Sequence, residues 1–248
     1  MRKYMSRMVF VFACVATGAL GDVNMTLTGP PPGPSMGGAY TSPYTADIDG
    51  VSTLVICDDF NSDVYQGLNW SATATPLDTL TGGTASSTVK FDQGGNAVTQ
   101  QFDYTVVAYL AMELMQVDQS TTSGQTEAGE LSYAIWDVFD PNADMTAPLP
   151  LTSSELAAIG NPADGYTSGF LYDAEQAVTG LGLTPVNFAA QTGWDVTIYT
   201  PTSNQNFTQE FITATDPVPE PPGPALLGVY LVGLPGLFLF FRRRALVR

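Results

Sequence analysis

Apolar and alternating runs of residues predict β-strands near both ends of the chain. Residues 51–57 are apolar and rich in β-branched side chains, which predicts a buried strand. Residues 194–200 and 207–213 alternate between apolar and polar side chains, as strands do in an antiparallel sheet with one exposed face. We therefore expect an antiparallel sheet or barrel that includes these outer segments.

The middle of the chain has helical periodicity. Apolar side chains recur on one face over residues 104–117 and again over residues 127–139. Two shorter helices are predicted at residues 152–159 and 169–178, the first because it opens with a capping-box pattern. The predicted fold class is therefore α+β, an antiparallel sheet or barrel-like domain with a central helical segment, over residues 22–213.

A third pattern, an uncharged apolar run beside basic residues, marks the N-terminus. Arg2, Lys3 and Arg7 precede the apolar residues 8–20, and small residues before Asp22 form a signal-peptidase site. Residues 1–21 are thus predicted to be a signal peptide that engages the Sec machinery and signal peptidase. An uncleaved N-terminal anchor is the alternative, although the apolar run is short for a membrane span.

The C-terminus predicts a second contact with the membrane. Residues 214–224 are rich in proline, which excludes a helix or a central strand, so we expect an extended stalk. Residues 225–241 carry no charge and have the minimal length of one transmembrane helix. Residues 242–248 form a basic tail that is expected in the cytoplasm, with the acidic domain on the other side of the membrane.

The order of a Pro-Glu-Pro motif, a short apolar helix and an arginine cluster resembles the PEP-CTERM sorting signal of Gram-negative bacteria. The resemblance covers residues 218–248. It implies recognition by an exosortase, a membrane protease that cuts near the motif, and hence transient anchoring in the inner membrane before release to the cell surface or the extracellular matrix. An ordinary C-terminal anchor is the alternative. The residues with an implied role in sorting are Pro219, Glu220, Pro221, Arg242, Arg243 and Arg244.

The charge distribution restricts the function of the predicted domain. All 24 acidic residues lie between Asp22 and Glu220, and Lys90 is the one basic residue in that interval. Such a domain repels phosphates, which excludes nucleic acid as a partner. The chain has no histidine, which excludes Ser-His-Asp and Cys-His nucleophiles. Cys57 is the one cysteine beyond the predicted leader, so no internal disulfide is expected.

Cys57 ends a predicted strand, and the segment 131–136 (Leu-Ser-Tyr-Ala-Ile-Trp) follows on a predicted helix. This arrangement resembles the thioester-domain pattern of bacterial surface adhesins and of exported PEP-CTERM proteins that share it, in which the cysteine condenses with a glutamine of the helix. Here Ser132 occupies the glutamine position and has no carbonyl, so Cys57 and Ser132 are interpreted as a degenerate thioester position. Gln125 lies two turns earlier, in a predicted loop. Simple core packing is the alternative explanation of the helix motif.

The spacing of Asp140, Asn142 and Asp144 is that of oxygen ligands in calcium loops. Met145 replaces the glycine of an EF-hand and Leu151 its closing glutamate, so calcium binding here is a hypothesis without a complete motif. No other cofactor is expected.

These observations favour an exported surface or extracellular-matrix protein, associated with exopolysaccharide and without catalytic activity. A thioester-like or calcium-dependent surface adhesin is the first alternative. An extracellular hydrolase that uses two carboxylates is the second, although no pair of acids stands out.

Overall fold

The computed structural model describes residues 21–29, 35–202 and 208–216. Within these residues the strands are β1 (Gly21–Gly29), β2 (Ser35–Met36), β3 (Ala39–Tyr40), β4 (Tyr44–Ile48), β5 (Val51–Cys57), β6 (Asn69–Pro76), β7 (Asp195–Pro201) and β8 (Phe211–Thr215). The α-helices are α1 (Ala97–Gln116), α2 (Thr122–Phe139), α3 (Ser153–Ile159), α4 (Phe170–Leu181) and α5 (Phe188–Thr192).

Six of the strands form a closed antiparallel barrel. Its strand order is β1-β4-β5-β8-β7-β6, and β6 pairs back with β1. Closure leaves no unpaired strand edge in the barrel. The predicted mixture of a β-barrel and a central helical segment is therefore confirmed, and β2 and β3 form a separate small hairpin.

The hairpin between β4 and β5 shows why one acidic segment is structural. Asp49 and Gly50 both have positive φ angles, as a two-residue turn between right-twisted strands requires. The Asp47 carboxylate accepts a hydrogen bond from the Gly50 amide (2.6 Å), and Asp49 accepts one from the Asn24 amide (2.9 Å). These aspartates consequently fix the turn that leads into β5.

Aromatic side chains fill much of the space between the barrel strands. Trp70 and Phe211 are almost fully buried, with ring centroids 5.7 Å apart, and Tyr44 packs edge-on against Phe211 at 6.0 Å. Burial of rings of this size is a large part of the hydrophobic stabilisation of a small domain.

The helices form a second layer beside the barrel. Helix α1 packs against α2, α4 and β8, and α2 packs against α1, α3, α4 and β5. The contact of α2 with β5 matters most for function, because it places the predicted helix motif against the strand that ends at Cys57.

Two helices begin earlier than predicted. Helix α1 begins at Ala97 rather than at residue 104, because Asn96 caps it by accepting hydrogen bonds from two backbone amides. Its first turns are mainly polar and gave no apolar periodicity. Helix α2 begins at Thr122, with Thr121 as its cap, so that Gln125 lies in the helix and not in a loop.

The later elements agree more closely with the sequence pattern. The capping box of α3 is confirmed, with Thr152 and Glu155 bonded reciprocally. Helix α4 continues to Leu181 and ends at Gly182, which has a left-handed conformation, rather than before Gly180. Strand β8 begins at Phe211 and not at residue 207.

Residues 1–20 of the predicted signal peptide, the stalk beyond residue 216, the predicted transmembrane helix and the basic tail lie outside the described residues. Gly21 begins β1, and residues 214–215, predicted to begin the stalk, end β8. Within residues 21–29, 35–202 and 208–216, no helix has the length and hydrophobicity needed to cross a membrane.

Candidate functional site

Ser42 connects the predicted pair, Cys57 and Ser132, through two hydrogen bonds. The Ser132 hydroxyl accepts a hydrogen bond from the Ser42 amide (3.0 Å), and the Ser42 hydroxyl accepts one from the Cys57 amide (3.0 Å). On the next turn of α2, Trp136 Nε1 donates to the Cys57 carbonyl (3.0 Å). Helix α2 therefore holds the backbone of Cys57 on both sides.

Ser132 is hydrogen-bonded within the core of the domain. It is fully buried, and its hydroxyl also donates to the Ala128 carbonyl one turn earlier (2.8 Å). With one donor and one acceptor bond made, the hydroxyl is satisfied where it lies. Ser132 and Trp136 thus position the strand end that carries Cys57.

A glutamine that the sequence interpretation did not consider lies beside Cys57. The Asp59 carbonyl accepts hydrogen bonds from the Cys57 thiol (3.3 Å) and from the side-chain amide of Gln209 (3.1 Å). Because they share one acceptor atom, the sulfur and the amide nitrogen lie within about 6.5 Å of each other. The structure therefore supplies an amide side chain next to the thiol, from the segment before β8 rather than from helix α2.

The strand register explains this placement. Strands β5 and β8 are antiparallel, with Cys57 opposite Phe211. Continued past the strand ends, the same register sets Asp59 opposite Gln209 and Asp58 opposite Glu210. We call residues 57–59 and 208–210 the β5–β8 junction. In the sequence, the signal for Gln209 was its position two residues before an apolar strand, but the pairing of that strand with β5 could not be read from periodicity.

The junction shields Cys57 from water. The side chain is 0% exposed, and burial, together with the nearby charges of Asp59 and Asp58, raises the pKa of the thiol well above its usual value. The thiol is therefore protonated at neutral pH, which argues against a role as an exposed thiolate in metal binding or disulfide exchange.

Acidic side chains and their donors form a network behind the junction. Glu210 is fully buried and accepts hydrogen bonds from the Tyr104 hydroxyl (2.6 Å), the Lys90 amide (2.8 Å) and the Thr200 hydroxyl. Burial raises the pKa of Glu210, and burial together with the charge of Glu210 raises the pKa of Asp58 well above its usual range. The environment of the network therefore favours the protonated form of these buried carboxyl groups more than water does.

A surface cavity gives access to the junction. It has a volume of about 300 Å³ and is lined by residues that include Tyr40, Tyr44, Phe60, Trp136 and Gln209. Tyr40 is 65% exposed at this surface, and Trp136 packs against Phe60 with ring centroids 5.2 Å apart. The cavity thus connects the solvent with the side chain of Gln209 between aromatic walls.

The predicted calcium ligands have different surroundings. Asp140 accepts hydrogen bonds from Asn61 (2.8 Å) and from the Asn142 amide (3.3 Å). Asp144 is buried beside Asp137, whose carboxylate accepts from the Asp144 amide (3.1 Å). In the part of the chain that the structure describes, no group of three or more cysteine or acidic side chains is arranged to hold a metal ion.

Comparisons with known proteins give limited similarity. No protein-family model matches the chain, and no curated protein matches it. Among solved structures, the chain is similar to the N-terminal domain of the Streptococcus pyogenes pilus tip adhesin Cpa, with 10% identity, coverage of 81% of this chain and 96% of that one, and a TM-score of 0.35. It is also similar to the N-terminal thioester domain of the fibronectin-binding protein SfbI from Streptococcus pyogenes, with 12% identity, coverage of 86% and 100%, and a TM-score of 0.37.

Proposed function

We propose that this chain is an exported surface protein of the adhesin type, whose domain forms an internal thioester between Cys57 and Gln209. The observation that carries the proposal is the shared acceptor: the thiol and the amide side chain converge on the Asp59 carbonyl inside the β5–β8 junction. The proposal replaces the degenerate pair of Cys57 and Ser132 with a pair that has both a sulfur nucleophile and an acyl carbon.

The reaction needs no additional reagent. The Cys57 sulfur attacks the side-chain carbonyl carbon of Gln209, an S–C bond forms, and the C–N bond of the amide breaks. The thiol proton leaves with the amide nitrogen, so that one molecule of ammonia is released. Holding the two groups together in the folded state replaces a bimolecular encounter and lowers the barrier accordingly.

Burial suits the product better than it suits a free thiolate. A thiolate at Cys57 would be a desolvated charge among acidic neighbours, as the raised pKa of the thiol indicates. A thioester is neutral and therefore has no comparable desolvation cost on burial.

The cavity at Gln209 supports a covalent binding role. A primary amine that enters between the aromatic walls reaches the acyl carbon, forms an amide bond to Gln209 and releases the Cys57 thiol. The bond forms once per molecule without turnover, which agrees with the prediction that the protein is not an enzyme.

Intact mass spectrometry of the purified full-length chain tests the thioester. We expect the mass to include the loss of one ammonia relative to the unmodified sequence. Treatment with methylamine should add one methylamine to Gln209 and expose one alkylatable thiol at Cys57. Cys57→Ala and Gln209→Ala should each abolish the ammonia loss. Gln125→Ala is the matched control, because Gln125 also lies near the predicted helix motif but bonds to the Gln119 carbonyl instead.

Peptide mapping shows whether the Gln209 amide and the Cys57 thiol are free in the untreated protein. A wild-type protein with an intact Gln209 amide and an alkylatable Cys57 before methylamine treatment would contradict the thioester.

Export and sorting belong to the same proposal and rest on the sequence. The predicted signal peptide would direct the chain out of the cytoplasm, and the PEP-CTERM-like tail would present it to an exosortase at the membrane. Replacing Arg242, Arg243 and Arg244 with Gln should impair retention or processing of the tail in an exosortase-bearing host, as followed by the size and location of the exported product. Unchanged maturation would count against this assignment.

A second candidate is non-covalent binding of exopolysaccharide in the same cavity. The observation that favours it is the set of aromatic side chains beside Asp63 and Gln209, since aromatic rings and polar groups together suit binding of a polar ligand with apolar faces. Glycan binding that persists in Cys57→Ala and disappears in Tyr40→Ala would favour this function over the covalent one.

A further inference from the structure

Lys90 makes contacts that join the two sides of the β5–β8 junction. Its ammonium group contacts the Asp59 carboxylate and the Ser62 hydroxyl (2.6 Å), which belong to the segment after β5. It also lies 3.4 Å from the Thr208 carbonyl, on the segment before β8. The one basic residue of the predicted domain therefore contacts both segments of the junction from a partly buried position.

The pair of Lys90 and Asp59 is poorly solvated. The Asp59 side chain is 1% exposed and that of Lys90 is 26% exposed. Removing an ammonium and a carboxylate from water carries a large desolvation cost, which their mutual attraction offsets only in part. An amide between the same two side chains is neutral and avoids that cost.

Acids with raised pKa values surround the reacting pair, and the pair itself holds the protons that amide formation requires. The Lys90 backbone amide donates to Glu210, and Asp58 precedes Asp59 in the chain. Burial raises the pKa of both Glu210 and Asp58, and the charge of Asp59 contributes to the shift of Asp58. The proton that the ammonium gives up passes directly to the Asp59 carboxylate that it contacts, and the departing oxygen leaves as water.

We propose that Lys90 Nζ and the side-chain carbon of Asp59 form an intramolecular isopeptide bond. The Lys90 ammonium passes one proton to the Asp59 carboxylate that it contacts, the neutral nitrogen then attacks the carboxyl carbon of Asp59, and an N–C bond forms. A C–O bond of the carboxyl group breaks, and one molecule of water leaves. No oxidant, metal or nucleotide is required.

The crosslink does not depend on the thioester, because it uses the side chain of Asp59 whereas Cys57 and Gln209 contact its backbone carbonyl. It covalently joins the segment after β5 to the segment before α1. Closing that loop restricts the unfolded chain and fixes the position of the Asp59 carbonyl.

Trypsin provides the sharpest test, because Lys90 is the only trypsin site between residues 8 and 241. The full-length chain is denatured, alkylated and digested. We expect the interval around Lys90 to remain in one piece, because trypsin does not cleave after an acylated lysine. Lys90→Arg, which retains the positive charge but cannot form this amide, should be cut at residue 90 and serves as the control for access. Cleavage of the wild-type chain at Lys90 as complete as that of the control would show an ion pair only and would overturn the proposal.

Asp59→Asn gives an independent measurement on a folded variant. Asparagine reacts with lysine by losing ammonia instead of water, so the crosslinked variant and the crosslinked wild type have the same mass. Identical masses for the crosslinked peptides of the two proteins are expected. Masses that differ by the replacement of a hydroxyl with an amino group would contradict the bond.

The two covalent bonds are distinguished by their chemistry. Methylamine opens a thioester but leaves an isopeptide bond intact, so the methylamine-treated chain should still resist trypsin at Lys90. Ammonia loss that depends on Cys57 reports the thioester, and water loss that depends on Lys90 reports the crosslink.

Discussion

Glu210 in the β5–β8 junction and the acids Asp137 and Asp144 at the C-terminal end of helix α2 are all buried, but they differ in the donors that surround them. Asp58, in the same junction, resembles Asp144, because neither of its carboxylate oxygens has a hydrogen-bond partner among the described residues. In the junction, Glu210 accepts hydrogen bonds from Tyr104, Lys90 and Thr200. At the end of α2, one carboxylate oxygen of Asp137 and both of Asp144 have no hydrogen-bond partner among the described residues. We call Asp137, Asp144 and Asp164 the acidic corner.

The difference separates two uses of a buried acid. A carboxyl group with several donors ties together the strands and helices that supply them, so its removal leaves those donors unsatisfied. A carboxyl group without donors is held neutral by its surroundings, so its main effect is on the pH dependence of stability. Glu210 therefore ties the elements of the junction together, whereas the acidic corner, like Asp58, responds mainly to protons.

The largest expected effect is the loss of Glu210. Glu210→Leu should lower the free energy of unfolding by about 3 kcal/mol or more, because the buried Tyr104 hydroxyl and Lys90 amide lose their acceptor. Asp144→Leu in the acidic corner removes a side chain whose oxygens have no partner and should cost less than about 1 kcal/mol. Urea unfolding of both variants measures the contrast.

Glu210→Gln keeps the size and one acceptor oxygen and should fall between the wild type and Glu210→Leu. Equal losses from Glu210→Leu and Asp144→Leu would show that the hydrogen bonds of the junction do not distinguish the two regions.

The second expected effect is a loss of stability as the pH rises. Burial, followed by the charges of Asp144, Asp164 and Asp140, raises the pKa of Asp137 to about 8. The folded state therefore binds a proton more tightly than the unfolded state does. The stabilisation from this proton is fully present below the unfolded pKa near 4 and is lost as the pH rises toward 8.

Asp137→Asn keeps the acceptor for the Asp144 amide but removes the titration. Melting curves between pH 4.5 and 8.5 should show a slope in the wild type that is smaller in this variant, by about 1–3 kcal/mol over the range. Part of the slope should persist, because burial and the charge of Glu175 raise the pKa of Asp103 to about 7, and burial also raises the pKa values of Asp58 and Glu210. An unchanged slope would remove the acidic corner as the source of the pH dependence.

The sequence predicted the fold better than the site, for a physical reason. Periodicity and caps are local, and they identified the strand at residues 51–57 and the capping box of α3. They gave no signal for β6, whose alternating alanine and threonine side chains lack strong apolar contrast. The pair of Cys57 and Gln209 depends on the closure of the barrel between β5 and β8, which is a long-range pairing that no local pattern encodes.

The helix motif also shows how far a local sequence pattern predicts the site. The segment 131–136 was correctly predicted to lie on a helix, and the structure packs that helix against the strand of Cys57. The pattern could not show which hydrogen bonds the polar side chains of the motif make. The Trp136 indole donates to the Cys57 carbonyl, and the Ser132 hydroxyl accepts from the Ser42 amide. These side chains position Cys57, and the proposed acyl group comes from Gln209 in the segment before β8.

The smallest expected effect separates positioning from chemistry within the junction. Ser132→Ala removes the acceptor of the buried Ser42 amide and should lower the free energy of unfolding by about 1 kcal/mol. The ammonia loss should persist, because Gln209 supplies the acyl carbon. In the Gln209→Ala background, Ser132→Gln tests the position that the helix motif nominated. We expect no ammonia loss and no incorporation of methylamine there, since Ser132 reaches Cys57 only through Ser42. Recovery of methylamine incorporation in that double variant would instead place the acyl donor on helix α2 and reduce Gln209 to a hydrogen-bond partner of Asp59.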